Sequence, residues 1–262
     1  MCLILFAWQT RADYPLILAA NRDEFYCRPT LPLAPWQDAP DIIGGRDLAA
    51  GGGWLACHAD GRFAAVTNVR QGLQPLANAK SRGQLITNYF KNNQQPHEFI
   101  EKIEHESYDG FNLLLGSRQA LYYTSNRNNV PPEPLRPGIY GLSNHRLDTP
   151  WPKVVTAKQA FTAALDTLPT PEPFFQLLAN RSSAPDQDLP QTGIPLAVER
   201  MLSAIFITSP DYGTRASTLL LAHRDGHFSM VERSFGTNGE ALGDAVATTA
   251  PLMSQRRNQK PA

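Results

Sequence analysis

The sequence predicts an α+β protein, with strands in two buried sheets and helices covering their outer faces. Three observations lead there. Strand-like segments come in runs joined by short turns, which favours antiparallel pairing. Helical stripes fall between those runs instead of alternating with single strands, as a parallel sheet would require. Several strands are apolar on both faces, so each face needs a covering layer. There is no internal repeat and no long linker. A single domain over residues 1–250 is expected, with a polar, disordered tail at 251–262.

The elements follow in order. Residues 3–9 read as a buried strand, broken at Asp13-Tyr14-Pro15, and residues 16–21 return as its hairpin partner. Residues 25–41 contain Pro29, Pro32, Pro35 and Pro40 and are expected to be irregular. Residues 42–45 and Gly51-Gly52-Gly53 read as loops. Segments 54–58 and 63–68 flank Ala59-Asp60-Gly61-Arg62, a strong hairpin signal. Ser81 is placed to cap a helix whose apolar face is Leu85, Ile86, Tyr89 and Phe90. Pro96 opens a second helix carrying Phe99, Ile100 and Ile103. Strands are expected at 111–115, 121–124 and 139–142. A helical stripe of Val154, Val155, Phe161 and Leu165 follows, then a helix at 174–179. A polar, mobile loop is expected at 182–193 and a helix at 196–202. Residues 203–208, 218–223 and 228–233 read as strands, the last two joined at Asp225-Gly226.

Composition narrows the function. The chain has 262 residues, and its 24 Lys+Arg balance its 24 Asp+Glu. A neutral chain has no bulk attraction for nucleic acid or an acidic membrane. The 42% hydrophobic content is enough for a core. No run approaches the ~18 apolar residues of a membrane span. The apolar opening lacks the basic region of a secretory signal. Three cysteines, Cys2, Cys27 and Cys57, make no disulfide framework, and a cytoplasmic location is expected.

Cys2 directly follows Met1, and a small second residue exposes Met1 to removal. Cys2 would then carry a thiol of pKa ~8.5 and an α-amine of ~7.7–8.0. The amine can act as base toward its own thiol, as in other N-terminal nucleophiles. A buried strand starting there would hold the terminus rigidly. The alternative is that Cys2 is simply a small apolar strand residue. Asn21-Arg22-Asp23-Glu24 ends the second strand, so a hairpin brings it beside Cys2. There Arg22 would lower the thiol pKa, Asp23 or Glu24 would hold the α-ammonium, and Asn21 would donate hydrogen bonds.

The Met1-Cys2 start with Asn21-Arg22-Asp23-Glu24 resembles the NRDE family, also called the transport and Golgi organisation family. Further segments resemble it in order: Gly44-Gly45-Arg46-Asp47 with Gly51-Gly52-Gly53-Trp54; Ala65-Val66-Thr67-Asn68-Val69-Arg70; Ser81-Arg82-Gly83; Gly141-Leu142-Ser143-Asn144 with Asp148-Thr149-Pro150-Trp151-Pro152-Lys153; and Tyr212-Gly213-Thr214-Arg215. That family resembles N-terminal-nucleophile hydrolases of the choloylglycine hydrolase and penicillin V acylase group. The resemblance implies a four-layer αββα sandwich of N-terminal-nucleophile hydrolase type. It makes Cys2 the nucleophile and Asn68 and Asn144 the oxyanion-hole asparagines, both neutral donors suited to that task. Trp54, Arg70, Ser143, His145 and Arg215 are the candidate substrate-binding residues, Arg215 also as a substitute basic group near the thiol. The chain departs from those hydrolases on strand two. They have Arg and Asp three apart, where this chain has Asn21 and Glu24 with Arg22 and Asp23 between them.

Other chemistries are set aside. The glycine runs lack the following Gly-Lys-Ser/Thr of a phosphate loop and are expected to form a flexible loop bordering the site, with Trp54 as anchor or substrate wall. Zinc spacing is absent and no metal is expected. Cys57-His58 would point to opposite faces of a strand. The expectation is a hydrolase-like protein acting on an amide or acyl substrate, with no cofactor. The alternative, kept open by the family resemblance, is a non-enzymatic protein that binds or traffics haem, through His145 or another histidine, or a lipid-like acyl ligand. Oligomeric state is not encoded in any pattern.

Overall fold

A computed structural model describes residues 2–70, 76–127 and 131–251. Among them are two six-stranded antiparallel sheets. The first is built from β1 (Cys2–Trp8), β2 (Leu16–Phe25), β9 (Gly138–Leu142), β10 (Tyr212–Ala222), β11 (Phe228–Phe235) and β12 (Ala241–Thr248), in the order β12-β11-β10-β2-β1-β9. The second runs β3-β4-β5-β6-β7-β8, from β3 (Thr30–Trp36), β4 (Ala39–Asp47), β5 (Leu55–His58), β6 (Phe63–Asn68), β7 (Phe111–Gly116) and β8 (Leu121–Ser125). Helices α1 (Gly83–Lys91) and α2 (Pro96–Ile100) cover the second sheet. Helices α3 (Pro152–Ala164) and α4 (Glu172–Leu178) cover the first, and α5 (Leu196–Leu202) follows.

Strand alternation generates the layers. On β1, Ile4, Phe6 and Trp8 face the second sheet and join Leu55, Phe63 and Leu114 in the central core. Leu3, Leu5 and Ala7 face the other way, onto Phe161 of α3 and Phe174 and Leu178 of α4. The outer face of the second sheet, including Ala64 and Leu113, packs on Leu85 and Tyr89 of α1 and Phe99 of α2. The result is the four-layer αββα sandwich expected from the sequence.

Several local expectations are corrected. Residues 25–41 are not irregular throughout. Pro32 and Pro35 sit on β3, an edge strand where a missing N–H is tolerated, and the pairing with β4 slips beside them. Residues 42–45 are part of β4. Strand β2 does not stop at Asn21, because β10 pairs with it as far as Tyr212↔Phe25. Residues 203–208 form no strand, although Ala204–Ile207 are buried. Their apolar character serves packing against the first sheet. Val155 lies off the buried stripe of α3 at 42% exposure. Strand β12 gave no apolar signal because it is an exposed edge. The proposed loss of Met1 and the tail beyond 251 lie outside the described residues. Among the described residues, no helix is long and apolar enough to cross a membrane.

Candidate functional site

Cys2 opens β1, and its β2 neighbour in the antiparallel register is Arg22, with Leu3 opposite Asn21. Alternation then sorts the polar cluster. Arg22 lies on the intersheet face with Leu18 and Ala20. Asn21 lies on the helix-covered face with Ile17 and Ala19. The Asn21 amide donates to the carbonyls of Leu178 and Ile205, at 2.8 and 2.9 Å, and accepts from Ser217 at 2.6 Å. It fastens α4 and the 203–208 segment to the sheet and does not line the cleft.

That cleft, of about 650 Å³, opens at the end of the intersheet layer. Cys2, Arg22, Asp23, Glu24, Trp54 and Asn68 all line it. The Arg22 guanidinium lies over the Trp54 ring, 4.1 Å from its centroid, and is 6% exposed. Its ion pair with Glu24 is long, 3.9 Å. Glu24 also approaches Arg28 at 3.8 Å, and Arg28 holds Asp47 through two hydrogen bonds of 3.0 and 2.6 Å. Cys2 is partly exposed to the cleft. Burial nevertheless pushes its thiol up, opposed by the N-terminal ammonium, Arg22 and a hydrogen bond from the Asp23 backbone.

Asp23 sits at the sheet end where Thr214 donates to its Oδ1 at 2.7 Å. Burial pushes its carboxyl up, while the N-terminal ammonium and Lys153 pull it down. Lys153, on the first turn of α3, is 4% exposed and donates to the Leu202 carbonyl at 3.0 Å. Burial lowers its pKa to about 8, against the attraction of Asp23. Sequence reasoning noted Lys153 only as part of a motif. A lysine on the apolar face of α3 was the available signal.

The second wall is stitched from the two asparagines. Asn144 is fully buried, and its Nδ2 donates to the Asn68 carbonyl at 3.0 Å and to Asn68 Oδ1 at 2.9 Å. Ser143 Oγ donates to the Cys2 carbonyl at 3.2 Å. Asn112, buried within the apolar β7, donates to Thr67 Oγ1 and to the His145 carbonyl. It ties the 143–145 loop to β6, and its signal was a lone amide among leucines. Asn68 faces the cleft, and Asn144 lies behind it.

The remaining expected residues lie elsewhere. Arg70 is buried, paired to Glu199 at 2.8 Å and stacked over Trp151. His145 bonds Thr149 through Nδ1 at 3.0 Å and does not line the cleft. Arg215 donates to the carbonyls of Phe25 and Arg28, at 3.1 and 2.6 Å. It lines a neighbouring cavity of about 270 Å³ that shares Arg22 and Trp54 with the cleft. The glycine loop is not loose: Gly52 and Gly53 are buried. Of the other cysteines, Cys27 is exposed and Cys57 is buried, its thiol pushed up to about 12 by burial.

Residues 1–237 match the family model "Transport and Golgi organisation 2". The chain is 37% identical over 260 residues to the Transport and Golgi organization protein 2 homolog of Bos taurus, covering 89% of this chain and 93% of the relative. It is 36% identical, with the same coverage, to the homolog of Homo sapiens. Among solved structures it is similar to a conjugated bile acid hydrolase from Clostridium perfringens. That match has 9% identity and a TM-score of 0.41, and covers 95% of this chain and 97% of the other.

Proposed function

The chain belongs to the Transport and Golgi organisation 2 family, and on that premise we propose that it is a cysteine amidohydrolase whose nucleophile is Cys2 once Met1 is removed. The observation that supports this is the pairing of Asn144 with Asn68. With both Asn144 donors spent on Asn68 oxygens, the Asn68 amide is locked with its own Nδ2 left to donate on the cleft side. A neutral donor held in the same cleft as a thiol is what a developing oxyanion requires.

The steps follow from this placement. The Cys2 amine, freed by loss of Met1, takes the thiol proton. Asp23 holds the resulting α-ammonium, and Arg22 steadies the thiolate. The thiolate attacks the substrate carbonyl, and Asn68 Nδ2 stabilises the oxyanion. The ammonium returns its proton to the leaving amine, and water then releases the acyl group. In this scheme Cys2 and Asn68 touch substrate, while Asn144 and Ser143 position them. The three unpaired thiols suit a reducing cytoplasm.

The ligand-carrier reading has one observation in its favour, the apolar wall of Phe25, Val66, Val198, Met201 and Leu202. It predicts that a co-purified ligand persists in Cys2→Ala. The test is intact-mass spectrometry of the purified protein, followed by amide turnover in wild type and Cys2→Ala. The hydrolase reading expects loss of Met1, and turnover that vanishes in a folded Cys2→Ala. Retained Met1 on an active protein would overturn it.

A further inference from the structure

The Ser81-Arg82-Gly83 motif has no role in the scheme above, yet all three residues line the cleft. They belong to the second sheet's helix layer, across the cleft from the strand that carries Cys2. Two further observations separate Arg82 from the other cations of the wall. The first is charge. Arg28 is paired to Asp47, Lys80 to Glu104, and Arg22 reaches Glu24 and the face of Trp54. Among the described residues, the Arg82 side chain has no ion-pair partner, and its single hydrogen bond is to the Gly110 carbonyl at 3.2 Å. A guanidinium has five N–H donors, so most of its capacity is unused. It is half-buried, and that desolvation lowers its pKa, opposed at longer range by Asp109, Cys2 and Glu24.

The second observation is support. A Cβ on Gly52 would lie 2.4 to 2.5 Å from the backbone carbonyl of Gly83, and one on Gly83 would lie 3.0 Å from the Gly53 carbonyl. The glycine loop and the start of α1 therefore touch backbone to backbone. That contact fixes the chain immediately after Arg82, and it accounts for glycine at both positions. A half-buried cation held on a rigid wall, without a carboxylate, lacks its counter-charge until something brings one.

We propose that Arg82 is an anion-recognising residue of the cleft, and that the substrate is an amide carrying a carboxylate within reach of the scissile carbonyl. The carboxylate can sit on the amine side of that bond, as in an N-acylglycine, or on the acyl side, as in a dicarboxylic monoamide. The proposal rests on the cleft being the reactive site, but not on hydrolysis occurring.

The test uses the protein's own thiols. Wild type, Arg82→Gln and Arg82→Lys are alkylated with iodoacetate, an anion, and with iodoacetamide, its neutral counterpart. Mass spectrometry of the Cys2 and Cys27 peptides gives each thiol's rate. Exposed Cys27 serves as the internal reference. The iodoacetate-to-iodoacetamide ratio at Cys2, divided by that at Cys27, should fall about fivefold in Arg82→Gln and recover in Arg82→Lys. A ratio unchanged in a folded Arg82→Gln overturns the proposal, whatever the outcome for turnover. If amide turnover is found, Arg82→Gln should raise KM for the charged amide and leave that for its methyl ester unchanged. Comparing an N-acylglycine with a dicarboxylic monoamide then tells on which side the charge lies.

Discussion

Both protons of the Asn144 side-chain amide go to Asn68, 3.0 Å to its carbonyl and 2.9 Å to its Oδ1. The pair joins a loop of the first sheet to the end of β6 in the second. It also decides which way the Asn68 amide faces. Removing the donor that faces substrate should cost about 10²–10³ in kcat. Asn68→Ala is therefore expected to lower kcat by that factor and to cost about 1 kcal/mol of stability, because the buried Asn144 amide keeps the residue-68 carbonyl but loses the Oδ1 acceptor. Asn144→Ala should lower the stability by about 1–3 kcal/mol, because buried oxygens lose their partner, and should reduce kcat as well. Denaturant melts and steady-state kinetics on the two variants distinguish these effects.

Lys153 makes stability depend on pH. Its folded pKa, about 8, lies below the ordinary value of 10.5. Between those values the unfolded chain binds the proton and the folded chain does not, so stability rises with pH across that window. The slope from this one group is at most about 1.4 kcal/mol per pH unit. Tyrosines raised by burial, such as Tyr89, act with the opposite sign nearer pH 10 and above. The comparison is therefore wild type against Lys153→Met, by urea melts from pH 7.5 to 9.5. The wild type should gain stability relative to the variant as pH rises. A constant difference would mean that the buried amine keeps its proton.

Arg70 and Glu199 form a buried pair, each side chain 4% exposed. Glu199 also accepts from the Thr192 backbone and hydroxyl. Glu199→Ala leaves the guanidinium buried without its counter-charge and should destabilise by about 3–5 kcal/mol. Arg70→Met combined with Glu199→Leu should cost clearly less. Thermal melts of the single and double variants check the ordering.

Gly45 has no room for a side chain. A Cβ there would lie 2.0 Å from the Trp54 ring, the ring on which Arg22 rests. Gly45→Ala should push Trp54 aside, cost about 1–3 kcal/mol, and change the Cys2 alkylation rate in the same direction as Trp54→Ala. Peptide-level labelling kinetics measure that rate, with Cys27 as the unaffected reference.

Much of this is legible in the sequence alone. The apolar alternation of β1 and β2, the Asp60-Gly61 turn and the face of α1 each state their partners in local pattern, since side-chain period and turn chemistry are local properties. Residues 30–36 were not legible, because prolines exclude a central strand but not an edge, and edge position depends on the sheet. Strand β12 was hidden for a related reason: an exposed edge has no buried face to make apolar. In the candidate site, Cys2 was singled out by its position after Met1 and Asn68 by the family resemblance, and both line the cleft. Asn21 and Arg215 were grouped with them because sequence shows a polar residue but not the face on which its strand presents it, and Arg70 because sequence does not show that a residue just past β6 is drawn to Glu199.

The sequence by itself determined the two-sheet architecture, the candidate nucleophile and the polar strand that faces it. Only the tertiary structure decided which of the four strand-two residues meets Cys2. The Cys2↔Arg22 register puts Arg22 on the cleft side and Asn21 beneath the sheet, and a one-residue slip would exchange them. Likewise only the packing of Gly52 on Gly83 carries Arg82 to the wall of the same cleft. Contacts between segments some thirty residues apart depend on how two layers stack, and no local pattern records that.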